Sequence, residues 1–259
     1  MNPEYEIVEG SSKDWIIDDH GNNFHIKGRM PHNSGFNLVI PNVIDGHFVD
    51  AVSGAAFSNC ETRFVNEFDE EEVVVPNEDL YTVRFADGIK SIGPAIFEYC
   101  TRLRRVDLPK GLEEIGQSTF EGCSDLQDIE IPETVKKIDA HAFKKSGIQT
   151  LIIPGSVETI GWLSLAGTNC VNIILSEGTK KIDSEALVMN SKLRSIVFPR
   201  SLVSIDENSF IPCDIKDDWD RKWYSQFFEP SNITVFCYPG TAGFVFAKMH
   251  GMKVENAGF

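Results

Sequence analysis

Six cysteines are the side chains in this sequence that could do the widest range of chemistry: nucleophilic attack, metal ligation or disulfide formation. Cys123 is one of them, three residues after Phe120 in the polar stretch LEEIGQSTFEGCSDLQDIEIP. No two cysteines have the CxxC spacing typical of a structural zinc site. No GxSxG, GxGxxG or phosphate-loop motif accompanies them, so the sequence predicts a protein that is not an enzyme and needs no metal or cofactor.

Histidines and carboxylates are the other candidates for acid–base or metal chemistry. None of the six histidines forms an HExxH motif or a nearby Cys/His pair. The acid run Asp69–Glu72 lacks the alternating Asp/Asn and the glycine of a calcium loop, so it is interpreted as a solvated loop. Surface or cap positions are expected for the histidines, which are His20, His25, His32, His47, His141 and His250.

The overall composition limits the partners and the compartment. The chain has 259 residues and carries 39 acidic against 24 basic side chains, for a net charge of -15. A field of that sign repels phosphate backbones and anionic lipids, so neither nucleic acid nor membrane insertion is expected. The sequence has no apolar run long enough for a membrane helix, and its start does not have the pattern of a signal peptide. A cytoplasmic protein and one whose leader has been removed both fit this start.

A phrase that recurs along most of the chain indicates the elements that must position these residues. Its rows include PKGLEEIGQSTFEGCSDLQDIEI, PETVKKIDAHAFKKSGIQTLII and PGSVETIGWLSLAGTNCVNIIL. The proline that opens each row, or its equivalent, recurs every 22 or 23 residues at Pro109, Pro132, Pro154, Ser176 and Pro199. About seven such coils are present, and since none can bury its apolar side alone, stacking them predicts a solenoid with one continuous core.

Each coil has a predictable plan. Segments such as LRRVDL, LQDIEI and LRSIVF alternate apolar with other residues, which predicts one short strand per coil. The proline that follows ends the pairing because it has no N–H to donate. The AF or TF segment is too short for a full helix and is interpreted as a turn. Seven coils at about 4.8 Å each predict a stack about 34 Å long.

These phrases resemble the BspA-like leucine-rich repeats of bacterial and protozoan surface antigens, and the resemblance covers nearly the whole chain. It implies a right-handed leucine-rich-repeat solenoid with a parallel β-sheet on its concave face and short strands and turns elsewhere. It also implies a secreted or cell-surface protein that binds other molecules more often than it catalyses reactions. Leu165 and Leu187 depart from the phenylalanine of the pattern, and two insertions interrupt it.

Three parts are predicted along the chain. They are an N-terminal β-rich cap over 1–37, leucine-rich repeats over 38–213 with an insertion at 61–79, and a second insertion with a C-terminal strand–helix cap over 214–259. Insertions in solenoids often form a binding edge, whereas a terminal segment can instead cover the open core of the last coil. Both interpretations fit the second insertion, whose aromatic residues are Trp219, Trp223, Tyr224, Phe227 and Phe228.

Alignment of the coils changes the interpretation of Cys123. Its column holds small residues with a hydrogen-bonding atom, which predicts an inward ladder that satisfies backbone groups at a turn. A disulfide between Cys100 and Cys123 stays open as an alternative, because adjacent coils bring Cα atoms to about 4.8 Å, within the range that disulfides span. The column comprises Cys60, Cys100, Cys123, Ser146, Thr168, Asn190 and Cys213.

The side of each coil opposite the main strand carries charges of alternating sign. Glu113–Glu114 should adjoin Lys136–Lys137 of the next coil. Glu158 should adjoin both Lys136–Lys137 and Lys180–Lys181. Opposite charges on neighbouring strands are favourable by about 0.2–1 kcal/mol per pair, so this face is interpreted as setting the register of the coils.

The outward positions of the main strands form the candidate site. In LRRVDL, Leu103, Val106 and Leu108 should point inward, which leaves Arg105 and Asp107 outward. The column through Asp107 ends in three apolar residues, and a contiguous apolar stripe beside charges is typical of a partner site. There are two alternatives: loops or the C-terminal segment cover this stripe, or it is an inert part of the sheet surface. The candidate partner-binding residues are Arg84, Arg105, Asp107, Glu130, Ile152, Ile174 and Val197.

The sequence therefore predicts a non-enzymatic binding scaffold that recognises a protein or a glycan through its concave face, for example in cell-surface adhesion or host interaction. A structural or assembly module of a larger surface protein, without a ligand of its own, is the alternative. An enzyme with its site in the inserted loops is a third hypothesis. The absence of a nucleophile–base pattern argues against that third hypothesis.

Overall fold

The structure of the chain is a computed structural model that describes most of the repeats and parts of both ends. Cys60, Cys213, the five aromatic residues of the second insertion and most of the first insertion lie outside the described residues. The described ranges are 9–19, 23–29, 37–58, 62–65, 71–74, 80–211 and 230–258.

The described residues form many short strands and one α-helix. In chain order these elements are β1 (Glu9–Gly10), β2 (Trp15–Asp19), β3 (Asn23–Arg29), β4 (Asn37–Ile40), β5 (Val43–Ile44), β6 (His47–Val52), β7 (Thr62–Val65), β8 (Glu71–Val74), β9 (Thr82–Phe85), β10 (Ser91–Ile92), β11 (Arg105–Asp107), β12 (Glu114–Ile115), β13 (Asp128–Ile129), β14 (Lys137–Ile138), β15 (Thr150–Ile153), β16 (Thr159–Ile160), β17 (Asn172–Leu175), β18 (Lys181–Ile182), β19 (Ser195–Val197), β20 (Ser204–Ile205), β21 (Thr234–Cys237), α1 (Ala242–Met249) and β22 (Lys253–Asn256). No helix in this part of the chain is long and apolar enough to cross a membrane.

One side of the solenoid, called the main face from here on, is a run of parallel strands, as predicted. It consists of two ladders, β4-β9-β11-β13 and β15-β17-β19-β21-β22. The prediction of one parallel sheet needs this refinement, because β13 has only two residues and its ladder ends before Glu130. The closing strand β21 pairs with β19 and adds a rung to the seven predicted coils, so the solenoid has about eight turns.

The opposite side of the coils is a second parallel sheet in the order β12-β14-β16-β18-β20. Two of the ion pairs predicted between its coils are present. Lys137 Nζ lies 3.3 Å from a carboxylate oxygen of Glu114, and Lys180 Nζ lies 2.8 Å from one of Glu158. All four side chains are about half exposed, so each pair contributes little to stability, and its main effect is on the register of the coils.

The AF or TF segments are turns, as predicted, and they form a third ladder between coils. Phe97 N donates to Thr119 O at 3.1 Å, and Phe120 N donates to Ala142 O at 2.7 Å. From Phe57 to Leu187, the residue two before the phenylalanine or leucine of each coil has a left-handed backbone, with φ of 54° at Ser118 and 60° at His141. This conformation turns the chain so that its N–H and C=O groups point at the neighbouring coils.

The core is one continuous cluster with a stack of phenylalanine rings at its centre. The ring centroids of Phe57, Phe97, Phe120 and Phe143 follow each other at 5.9, 5.6 and 5.3 Å, each ring nearly parallel to the next. Leu165, Leu187 and Phe210 continue the column and are equally buried. The two leucines that depart from the repeat pattern therefore fill the same inward position.

Both ends of the solenoid are covered by elements outside the repeat. At the start, β2 and β3 are antiparallel, β3 pairs with β6, and Trp15 packs edge-on against Phe57. At the other end, α1 begins after Thr241, whose Oγ1 accepts from Phe244 N at 3.3 Å. Phe246 of α1 packs against Phe210 with 5.6 Å between ring centroids. This strand–helix arrangement matches the predicted C-terminal cap.

Candidate functional site

The predicted site residues lie on the main face, and those within one ladder are in register. Asp107 is directly beside Arg84 on the neighbouring strand. Ile174 lies between Ile152 on one strand and Val197 on the other. Glu130 follows β13 and belongs to the same outward series. No strand pairing joins Glu130 to Asp107 or to Ile152, and Arg105 lies in the neighbouring column beside Asp128.

The column continues past the residues predicted from sequence. Phe236 on β21 lies beside Val197, and Glu255 on β22 lies beside Phe236. The missed signal is the segment ITVFC, Ile233–Cys237, which alternates buried and outward residues like the strands before it. Four apolar residues therefore follow one another across β15, β17, β19 and β21. This set is called the apolar stripe: Ile152, Ile174, Val197 and Phe236.

The apolar stripe faces outward, and one end of it is well exposed. The side chain of Ile152 is 57% exposed. Ile174, Val197 and Phe236 are half-buried, because each is flanked by the next residue of the stripe on a strand about 4.8 Å away. Alternation along the strands places Leu151, Ile173 and Ile196 inward, where they are fully buried. The core is therefore formed by these inward residues and not by the side chains of the stripe.

A second column of uncharged polar residues runs beside the apolar stripe. Thr150 lies beside Asn172, and Ser195 lies between Asn172 and Thr234. Ser195 Oγ donates to Asn172 Oδ1 at 2.6 Å. The column offers hydroxyl and amide groups two residues away from each member of the stripe, and it carries no charge over these four rungs.

Charged residues border the stripe at both ends. On β11, Arg105 Nε donates to Asp107 Oδ1 at 2.8 Å. On β22, Lys253 and Glu255 form an ion pair of 2.7 Å. The coil that precedes Ile152 differs, because its Asp128 and Glu130 are both exposed and neither forms an ion pair among the described residues. Asp128 lies beside Arg105, which pairs with Asp107. Three carboxylates and one guanidinium therefore lie before that end of the stripe, which is negative.

The cysteine column is structural, as predicted for Cys123. Cys100 Sγ donates to Phe57 O at 2.9 Å, and Cys123 Sγ donates to Phe97 O at 3.1 Å, in each case a carbonyl of the preceding coil. Asn190 makes the equivalent bond, from Nδ2 to Leu165 O at 2.9 Å. Cys100 and Cys123 are thiols and not a disulfide.

One member of that column departs from the predicted ladder. Ser146 Oγ is buried and has no hydrogen-bond partner in the described structure, so the prediction was wrong at that position. Thr168 Oγ1 donates to Asn190 Oδ1 at 2.8 Å and accepts from Cys170 N at 3.4 Å. It therefore satisfies a backbone group at the turn, as predicted.

We expect Cys123 and Cys170 to resist thiol reagents until the protein unfolds. Burial raises the pKa of the Cys123 thiol well above its usual range, and it raises the pKa of Cys170 to about 11. A variant with serine at Cys60 and Cys213 should show no labelling by a disulfide reagent at neutral pH. Labelling should become complete in guanidinium chloride. Labelling of Cys123 in the native state, located by mass spectrometry, would contradict its buried role.

One polar cluster in the turn ladder was not predicted. Glu121, whose side chain is 6% exposed, accepts from Ser118 Oγ at 2.9 Å. Lys144 Nζ lies 2.9 Å from its Oε1, and His141 Nδ1 lies 3.2 Å from its Oε2. His141 was expected at the surface or in a cap, but it packs between coils with its ring 4.9 Å from that of Trp162. Glu121 and Lys144 each follow the stacked phenylalanine, so alignment of adjacent coils could have revealed the pair.

The electrostatics of this cluster favour an ionised Glu121. Burial opposes ionisation, but the hydrogen bonds from Lys144 and Ser118 and the charge of Lys144 outweigh it and lower the pKa of Glu121 below its ordinary value. Ser118 donates to the carboxylate and not to the imidazole, so the groups do not form a nucleophile–base pair. The cluster therefore binds neighbouring coils together. Among the described residues, no three His, Cys, Asp or Glu side chains are grouped so as to hold a metal ion.

Comparisons with known proteins agree with this geometry. Residues 119–217 match the family described as BspA type leucine rich repeat region. Among solved structures, a leucine-rich repeat protein from Bacteroides ovatus superposes with a TM-score of 0.65 at 21% identity, over 86% of this chain and 54% of that one. The T. pallidum leucine rich repeat protein superposes with a TM-score of 0.64 at 22% identity, over 86% of this chain and 97% of that one.

The extent of these matches determines what they establish. At such identities the two structures share the fold with this chain, which spans about half the length of the Bacteroides protein. No protein with a curated description matches the chain. The repeat phrase, the stacked coils and the family match agree with one another. The chain therefore has the fold of a leucine-rich-repeat β-solenoid, and its residues 119–217 match repeats of the BspA type.

Proposed function

We propose that this chain is a binding scaffold whose main face recognises a protein partner. The observation that carries the proposal is the apolar stripe, four outward apolar residues in register on consecutive strands. Outward positions of a strand contribute little to the core, so the fold does not require apolar side chains there. Their presence on four consecutive rungs supports a surface that a partner covers.

The surroundings of the stripe favour a protein over a glycan. Interfaces between proteins have an apolar centre and a polar rim, with a few central residues supplying most of the affinity. The stripe supplies such a centre, about 14 Å long over its three rung intervals, and Thr150, Asn172 and Ser195 form the adjoining rim. Three of its four members are aliphatic and have no group that could bond to sugar hydroxyls.

The proposal includes a location at the cell surface or outside the cell. Its support is the resemblance of the repeat to those of surface antigens.

Replacing Ile152 and Ile174 with aspartate should abolish capture of the partner. In the complex, the two aspartates would be buried against an apolar surface of the partner. Their cost should exceed the loss of one central contact, and that loss alone is about 2 kcal/mol or roughly thirtyfold in affinity. Immobilised wild-type protein would be exposed to cell-envelope or host extract and the retained proteins identified by mass spectrometry. A protein retained by the wild type and lost from the double variant is the expected result.

The matched control is Val203→Asp. Val203 is 76% exposed and precedes β20, on the opposite side of the coil. This variant adds the same charge to an equally apolar surface position and should retain the partner, and circular dichroism should show that both variants are folded. Equal capture by the wild type and the Ile152→Asp, Ile174→Asp variant would show that the main face is not the binding site.

A further inference from the structure

We propose that the partner presents an amphipathic α-helix, which lies on the apolar stripe across the strands and carries a basic residue beyond the Ile152 end. This inference rests on the proposed function and specifies the partner's chemistry. Three features of the main face support it: the spacing of the rungs, the width of the two columns and the position of the unpaired carboxylates.

The spacing of the rungs matches a helix better than a strand. Parallel strands in register place Ile152, Ile174, Val197 and Phe236 about 4.8 Å apart. Successive turns of a helix are 5.4 Å apart, so three turns cover about 16 Å, against about 14 Å for the stripe. Same-side residues of an extended chain are about 6.7 Å apart and cover about 20 Å over three intervals. Over the length of the stripe, the side chains of a helix therefore shift relative to the rungs by less than half the rung spacing. Those of an extended segment shift by more than one full rung spacing.

The width of the main face also suits a helix. The polar column lies two residues from the stripe, which is about 7 Å along the strands. A helix with its side chains is about 10 Å wide, so its apolar side can cover the stripe while its polar flank reaches Thr150, Asn172 and Ser195. Apolar residues at i, i+4, i+7 and i+11 of the partner would meet the four members of the stripe in order.

The charge at the ends of the stripe gives the partner its polarity. Beyond Phe236, Lys253 and Glu255 neutralise each other at 2.7 Å. Beyond Ile152, Asp128 and Glu130 form no ion pair among the described residues, since the neighbouring Arg105 pairs with Asp107. A lysine or arginine one turn beyond the apolar residues of the helix would lie against these two carboxylates. The reverse charge would be repelled in the same place.

Three fluorescein-labelled peptides test this inference directly. The first forms a helix with leucine at i, i+4, i+7 and i+11 and a pair of lysines one turn before the first leucine. The second has the same composition with leucine at alternate positions, and the third has glutamate in place of the lysine pair. In anisotropy titrations at low salt, the first peptide should bind at least tenfold more tightly than either of the others. Ile174→Asp should abolish its binding, and Val203→Asp should leave it unchanged.

Reversing the charge of Asp128 and Glu130 tests the basic residue separately from the helical shape. With Asp128→Lys and Glu130→Lys together, the glutamate peptide should bind more tightly than the lysine peptide. If the lysine peptide still binds more tightly, as it does to the wild type, the partner does not carry a basic residue at this end. If the alternating peptide binds the wild type as tightly as the helical peptide or more tightly, the partner does not present a helix.

The outcome of the capture experiment distinguishes failure of this inference from failure of the proposed function. If a captured protein depends on Ile152 and Ile174 but the helical peptide neither binds nor competes with it, the helix inference is wrong and the binding scaffold stands. If enzymatic removal of glycans from the extract abolishes capture, the partner is a glycan and the inference is also wrong. If capture does not depend on those isoleucines, the proposed function itself is wrong.

Discussion

Replacement of Phe120 by alanine should lower the free energy of unfolding by about 3–5 kcal/mol. The side chain is fully buried, and its ring lies between those of Phe97 and Phe143 at 5.6 and 5.3 Å. The cavity cannot close easily, because Phe120 N donates to Ala142 O at 2.7 Å and so fixes the spacing of the two coils. Urea denaturation followed by circular dichroism measures the change.

The chain itself provides the matched control for that variant. Leu165 and Leu187 occupy the same column in later coils, so Phe120→Leu should cost only about 1 kcal/mol. Because each coil contacts only its neighbours, the alanine variant should also separate the unfolding of the coils on either side of it and lower the denaturant dependence. A cost for Phe120→Ala no larger than that for Phe120→Leu would show that the alanine variant leaves no destabilising cavity in the core.

Most of the fold could be predicted because the repeat defines neighbours. A spacing of 22 or 23 residues states which residue lies beside which, and the ladder Ile152–Ile174–Val197 follows from counting alone. Counting the repeat spacing does not reach Phe236, because residues 212–229 separate β21 from the preceding coil. The alternation within ITVFC was then the remaining signal, and it was too short to fix the register.

The polar interior was harder to predict because it depends on side-chain reach. Cys123 and Asn190 both reach a carbonyl of the preceding coil, whereas the hydroxyl of Ser146 in the same column does not. The contact between Glu121 and His141 requires the left-handed backbone at Ser118 and His141. No residue type in the sequence signals that conformation, because glycine is absent from both positions.

The partner could not be predicted for a different reason. Outward side chains such as Ile152 and Glu130 are not constrained by packing, so the repeat carries no information about them. Their meaning comes only from the stacking of the coils, which places apolar side chains next to one another in register. The candidate site therefore depends on the fold, which brings these side chains together.

Replacement of Glu121 by glutamine should lower the free energy of unfolding at neutral pH by about 2–3 kcal/mol. The carboxylate is the common acceptor for Ser118, Lys144 and His141, at 2.9, 2.9 and 3.2 Å. Glutamine keeps the shape but removes the negative charge, which leaves Lys144 partly buried without its counter-ion. Thermal and urea denaturation of both proteins at the same ionic strength would measure the difference.

The pH dependence and an exposed control make this prediction specific. Because the pKa of Glu121 is lowered on folding, its contribution is present above the unfolded pKa of about 4.3 and is lost as the pH falls through the lower folded value. The gap between the wild type and Glu121→Gln should therefore narrow in acid. Glu114→Gln, at the half-exposed pair with Lys137, should cost less than about 1 kcal/mol. An equal cost for the two variants, or a gap that does not change with pH, would show that Glu121 does not act through its buried charge.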